Sequence, residues 1–206
     1  MARGGDSRSM WHFLVTEYAG STLDKLVEDQ IRRYHTRERH IHVTMQLIPN
    51  IMRDTLSALM YLKAANVLHR DLKPHNLAIN SNGMTVVIDY GLARIKDDSS
   101  QLTAEAYTLQ YAAPEVVFWQ PGSYGREADI WSIGCILAEL LTWELLFEKV
   151  PSKQMIILYT QLFGKISAEF MKKLKDPGVR APMLIEKPRV DLHEYFKDKN
   201  NFIIER

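Results

Sequence analysis

The stretch from Val67 to Gly91 constrains this chain more than any other. It reads V-L-H-R-D-L-K-P-H-N-L-A-I-N, then a Ser81-Asn82-Gly83 turn, then T-V-V-I-D-Y-G. Two short apolar runs, Leu77–Ile79 and Val86–Ile88, flank the Asn-Gly signal and predict a β-hairpin. The hairpin would bring Asp89 back beside Asn76. Two carboxylates, an amide and a lysine then stand at the spacings that phosphoryl transfer requires. Asp71 can accept the proton of an attacking hydroxyl, and Lys73 can reach the transferring phosphate. Asn76 offers a neutral oxygen to Mg2+ and Asp89 a charged one, so both can hold one Mg–nucleotide. The plain alternative is a loop of solvated charges in front of an ordinary hairpin. The multi-point match of H-R-D-x-K-x-x-N followed by D-x-G argues against it.

A length of 206 residues suits one domain or a large part of one. The formal charge of +1 gives no global attraction to nucleic acid or to a membrane surface. One cysteine, Cys135, rules out an intrachain disulfide and fits a reducing compartment. The first residues are polar and lack the apolar centre of a signal peptide, and no apolar run reaches spanning length. These features predict a soluble protein of the cytoplasm and nucleus, with no membrane partner.

In chain order, residues 1–11 read as a disordered leader, and His12–Thr16 as a short strand of buried type. Ser21 or Thr22 can cap a helix carrying Leu23, Leu26 and Val27. Arg32–His42 is rich in arginine and histidine. Nucleic-acid binding or a metal site are the sharper readings; Glu38 interrupts the charge and nothing completes a ligand set, so a solvated surface loop is expected. Val43–Ala65 is a helix with Leu47, Ile51, Leu56, Leu59, Met60 and Leu62 on its apolar face, kinked or started late at Pro49. Lys96–Glu105 reads as a mobile loop. Tyr111-Ala112-Ala113-Pro114-Glu115 closes it and opens a short helix. Tyr124–Thr142 carries apolar residues around most of its circumference and should be a buried central helix. Asp129 near its start is either a capping charge or a buried acceptor that shapes the catalytic loop. Ser152–Phe163 is a further helix, and the remainder a winding tail.

Residues 12–165 resemble the large, C-terminal lobe of a eukaryotic protein kinase, within it a mitogen-activated protein kinase of the stress-activated branch. The carrying residues are L-V-T with Gly20, H-R-D-L-K-P-H-N-L-A-I-N, I-D-Y-G-L-A-R, Y-A-A-P-E and D-I-W-S-I-G-C-I-L-A-E-L-L-T. The resemblance implies a mostly helical α+β lobe with a short catalytic-loop hairpin. It divides residues 12–206 into a hinge at 16–22, a basic insertion of about 30–43, a catalytic loop at 67–76, an activation segment at 89–115 and a central helix near 125–142. It implies Asp71 as catalytic base, Lys73 as phosphoryl neutraliser, and Asn76 and Asp89 as Mg2+ ligands. Thr16, Ala19 and Ala78 would line the adenine of ATP. Thr108 would support the substrate loop, Thr103 would be the activation-loop phosphosite, and His69, Arg70, Glu115 and Asp129 would be structural. Protein substrates and an upstream mitogen-activated protein kinase kinase are the implied partners.

Departures from the pattern shape the remaining expectations. The parts that cover the ATP phosphates and the late helices of the large lobe are not in these 206 residues, so a truncated, weakly active chain is expected. Tyr90 stands where the family's Asp-Phe-Gly motif has phenylalanine. Thr103-Ala104-Glu105 replaces Thr-x-Tyr, and Leu109 and Ala112 replace two arginines that would receive a phosphotyrosine. Arg70 and Arg94 are left as partners for a phosphate on Thr103. Three functions compete: a Ser/Thr kinase, a catalytically impaired kinase-like binding module, and a small-molecule phosphotransferase. Lys73 and the Ala-Pro-Glu segment disfavour the third.

Overall fold

The computed structural model of the protein describes residues 14–35, 41–96, 107–119, 124–176 and 191–199. The architecture is α+β with helices dominant. Strand β1 (Ser21–Thr22) leads directly into α1 (Leu23–His35), and α2 spans Ile41–Ala64. The short strands β2 (Val67–Leu68), β3 (Leu77–Ile79), β4 (Thr85–Val87) and β5 (Arg94–Ile95) follow. The second half is helical: α3 (Pro114–Phe118), α4 (Glu127–Thr142), α5 (Ser152–Phe163), α6 (Ala168–Lys172) and α7 (Leu192–Lys199).

The expected hairpin forms, with β4 starting one residue earlier than the apolar run. Leu77 pairs with Val87, Ala78 with Val86 and Ile79 with Thr85, all antiparallel. Its loop closes through Gly83 N–H donating to Asn80 O and Asn80 N–H donating to Met84 O, both 3.0 Å. Gly83 sits at φ +76, which an L side chain adopts only with strain. β1 adds to the free edge of β3, giving the order β1-β3-β4. The chain enters that edge at Gly20, with φ +99; a Cβ there would lie 1.9 Å from the Ile79 carbonyl oxygen. Only glycine permits so close an approach.

α4 is the centre of the packing. Ala128, Asp129, Ser132, Ile133, Cys135, Ile136, Ala138, Leu140 and Thr142 are all buried along it. α2 lies against it and contributes Ile51, Leu59 and Leu62, while α5 contributes Met155, Ile156 and Tyr159. Trp131 stacks on Phe147 with ring centres 6.0 Å apart, and Tyr159 meets both edge-on. No helix among the described residues is long and apolar enough to cross a membrane.

Several expectations are corrected. Leu14 and Val15 are 89% and 92% exposed and form no strand; β1, not this run, takes the edge of β3. The solvated loop expected over Arg32–His42 is mainly helix: α1 continues to His35 and α2 begins at Ile41, with residues 36–40 outside the described set. α2 carries Pro49 without interruption. Leu56 and Met60 leave the core, at 41% and 73% exposed, because that side of α2 meets Ile130 across an open groove. The winding tail contains two helices with polar starts. Ser167 Oγ accepts from Phe170 N–H, and Asp191 Oδ1 from His193 N–H, each the work of a helix cap. Residues 1–11 and the loop at 97–106 lie outside the described residues.

The two glycines predict opposite responses. Gly20→Ala should lose about 1–3 kcal/mol, whereas Gly134→Ala, inside α4 with open space around its Cβ position, should gain about 1 kcal/mol. Urea unfolding of both variants checks the pair; equal effects would contradict the close approach at Gly20.

Candidate active site

The catalytic loop hangs between β2 and the hairpin. β2 pairs with β5, Val67 with Ile95 and Leu68 with Arg94, and Leu68 and Leu72 are each 1% exposed, anchoring the loop at both ends. Between them the backbone departs from ordinary conformations: Arg70 has φ +73. Such a non-glycine conformation persists only where the surroundings hold it.

Asp129 does the holding. From the first turn of α4 its Oδ2 accepts the His69 N–H at 2.9 Å and its Oδ1 the Arg70 N–H at 3.0 Å. The capping reading gives way to the acceptor geometry. Burial raises the Asp129 carboxyl above its ordinary value, and the two amides pull it back. His69 completes the frame: its Nε2 lies 3.1 Å from Ile88 O, and its Nδ1 is 3.3 Å from the Asp71 N–H. Both contacts are satisfied by one neutral tautomer, with the proton on Nε2.

Four side chains then converge. Asp71 Oδ2 accepts from Lys73 Nζ at 2.7 Å and from Asn76 Nδ2 at 3.1 Å, while Oδ1 accepts from the Thr108 hydroxyl at 2.7 Å. Lys73 Nζ also donates to Thr108 Oγ1 at 3.1 Å. Asn76 Nδ2 donates in addition to Asp71 O at 2.7 Å, which fixes the amide and turns its oxygen the other way. A carboxylate, an ammonium, an amide and a hydroxyl are thereby held in one network at the mouth of a buried loop. The arrangement can position a hydroxyl nucleophile beside a carboxylate and neutralise an anion beside the lysine.

The remaining predicted residues are placed less tightly. The Ile88 N–H donates to Asn76 O at 2.9 Å, so Asp89 follows one residue beyond the Asn76 backbone. Asp89 is exposed, at φ +60, with its carboxylate accepting from the Gly91 N–H at 3.2 Å. Tyr90 sets its ring against that of His69, centres 5.2 Å apart. Ala78 is fully buried between Thr22 and Val86; Thr16 is exposed and Ala19 half-buried on the irregular segment before β1. Glu115, in the first turn of α3, has its carboxyl raised by burial, with its own amide acting against that and Glu127 adding to it. Thr103 lies outside the described residues. The two positions where the resemblance implied phosphotyrosine receptors are apolar packing positions: Leu109 is half-buried against the core, and Ala112 is fully buried under a hydrogen bond from Tyr159 Oη at 2.9 Å.

Thr103, whose phosphate Arg70 was expected to partner, lies outside the described residues; Arg70 is 1% exposed and packed beneath Tyr107. Residue types alone gave no signal for this, nor for Asp54, whose carboxylate on α2 accepts the Thr85 N–H at 3.0 Å and ties β4 to the helix. Asn66, at φ +57, takes donors and acceptors from both sides: its amide donates to Lys96 O and accepts from Arg126. An Asn that ends a helix before a buried loop is the signal that was available.

Asp129→Asn leaves one of the two buried amides without an acceptor and should cost about 1–3 kcal/mol. The sign of its pH dependence follows from the raised carboxyl. Stability that Asp129 contributes below its unfolded value is lost as pH rises through its folded one, so the deficit of the variant should shrink as pH rises. Urea unfolding from acid to neutral pH checks both; a deficit that grows with pH would contradict the assignment.

The family model described as protein kinase domain matches residues 6–187. Mitogen-activated protein kinase pmk-3 of Caenorhabditis elegans is 38% identical over 82% of the chain, and mitogen-activated protein kinase p38a of Drosophila melanogaster 34% over 82%. Mitogen-activated protein kinase 13 of Mus musculus is 38% identical over 68% of the chain. The matches cover 35%, 42% and 38% of those proteins in turn. The chain belongs to the protein kinase family, and these three relatives are mitogen-activated protein kinases.

Proposed function

We propose that the protein transfers the γ-phosphoryl group of ATP to serine or threonine hydroxyls of protein substrates, as a kinase of mitogen-activated type in stress signalling. The observation that carries this reading is the single Asp71 carboxylate bound at once by Lys73, Asn76 and Thr108. In the reaction Asp71 orients the substrate hydroxyl and takes its proton as the oxygen attacks. Lys73, already beside that carboxylate, offsets charge on the phosphoryl oxygens. Thr108 fixes the rotamer of Asp71 and tethers the segment on which a substrate would lie.

The donor set suits Mg2+. Asn76 and Asp89 supply hard oxygens, one neutral and one charged, as that ion prefers, and the Asn76 nitrogen is already committed to Asp71. When bound, Mg2+ with ATP supplies charge neutralisation at the phosphates and the phosphoryl group itself. Thr16, Ala19 and Ala78 are the residues proposed for adenine. An upstream mitogen-activated protein kinase kinase acting on Thr103, and residence in cytoplasm and nucleus, belong to the same proposal.

Transfer of labelled γ-phosphate from Mg–ATP to a Ser-Pro or Thr-Pro peptide tests it. Asp71→Asn should reduce the rate by about 10²–10⁴-fold, and Lys73→Met by a comparable factor with little change in stability. Wild-type transfer no faster than Asp71→Asn would overturn the reading in favour of a kinase-like binding module.

A further inference from the structure

Among the described residues Arg70 is the largest fully buried side chain. A guanidinium out of water needs partners that accept its charge. Its backbone is fixed by Asp129, and its side chain packs under Tyr107, the guanidinium carbon 5.9 Å from the ring centre. Tyr107 in turn meets Tyr124 edge-on, centres 5.6 Å apart and planes at 85°. Tyr124 is 3% exposed and clusters with Leu68, Ala113, Val116 and Ala128. The ring of Tyr107 therefore lies over the charge, and Tyr124, just ahead of α4, backs that ring.

The neighbouring pair gives this packing its meaning. Thr108, next after Tyr107, donates to Asp71, next after Arg70. Two adjacent residues of one segment thus dock on two adjacent residues of the other, one contact aromatic and cationic, the next a hydrogen bond. Burial raises both phenols, and Arg70 acts on both in the opposite sense, as a positive group close to both rings must. Beyond Thr108 the segment is held onto the helices: Ser132 Oγ donates to Tyr111 O at 2.8 Å, and Tyr111 Oη to Glu139 at 2.6 Å.

We propose that Tyr107 is a positioning residue: its ring, seated on Arg70 and Tyr124, docks the segment that delivers Thr108 to Asp71. The inference rests on the kinase reading for its consequence in catalysis and on geometry alone for the docking. Ordering of residues 107–113 is then built into the sequence and independent of phosphorylation.

Hydrogen exchange on the full chain after phosphatase treatment tests the docking. The amides of Tyr111 and Ala112, which donate to Thr108 O and Leu109 O, should be protected in the wild type. In Tyr107→Ala they should exchange roughly tenfold faster, the size of a lost cation–π and packing contact, while Ile136 and Leu140 amides are unchanged. Tyr107→Phe keeps the ring and should restore protection. Should Tyr107→Ala not fold, Tyr107→Leu, which keeps apolar volume without a π face, should show the same acceleration. Wild-type rates in the Ala or Leu variant, or protection that appears only after phosphorylation, would overturn the proposal. In the transfer assay Tyr107→Ala should lower kcat with the KM for Mg–ATP unchanged, and Tyr107→Phe should recover it. Loss of all transfer in the wild type would sink the kinase reading, and exchange would still decide the role of Tyr107.

Discussion

One carboxylate ties the chemistry to the fold. Asp129 accepts the amides of His69 and Arg70 from a helix that is the centre of the packing, and each later feature of the site needs that pair in place. With the amides fixed, Arg70 is held at its left-handed φ. That conformation sends Arg70 toward the tyrosines and leaves Asp71 facing Lys73, Asn76 and Thr108. A buried carboxylate without partners would be costly. Two amide donors make it tolerable and, in exchange, impose a geometry the loop would not adopt alone.

Much of this was legible in the residues. The hairpin could be read because Asn-Gly between two apolar runs has few other solutions, and β4 misses the expected start by one residue. The buried α4 followed from apolar groups around most of its circumference, and Asp129 stood out as a charge in a place where charges need a reason. The first segment could not be read the same way: Leu14 and Val15 have strand composition, and composition alone does not supply a hydrogen-bonding partner. Leu56 and Met60 failed for a related cause, since periodicity marks an apolar face and not what will cover it. The cluster of Arg70, Tyr107 and Tyr124 joins three points far apart in sequence and carries no local pattern. It required the fold.

Leu109 and Ala112, where the sequence resemblance implied arginines, are packed, one half-buried against the core and one beneath the Tyr159 hydroxyl, so apolar contact anchors the segment there. Tyr107 on Arg70 continues the same theme. From Thr108 to Ala113 the segment is fastened by packing and by hydrogen bonds to Asp71, Glu139 and Ser132, beside the Asp71–Lys73 ion pair.

The central claim is that α4, through Asp129, makes the catalytic loop as stable as the core. Native-state hydrogen exchange at the His69 and Arg70 amides measures that directly. The account predicts that both exchange only by global unfolding, with the same opening free energy as the Ile136 amide in the middle of α4. Opening of His69 and Arg70 several kcal/mol easier than Ile136 would show that the loop moves independently of the helix, and would contradict it.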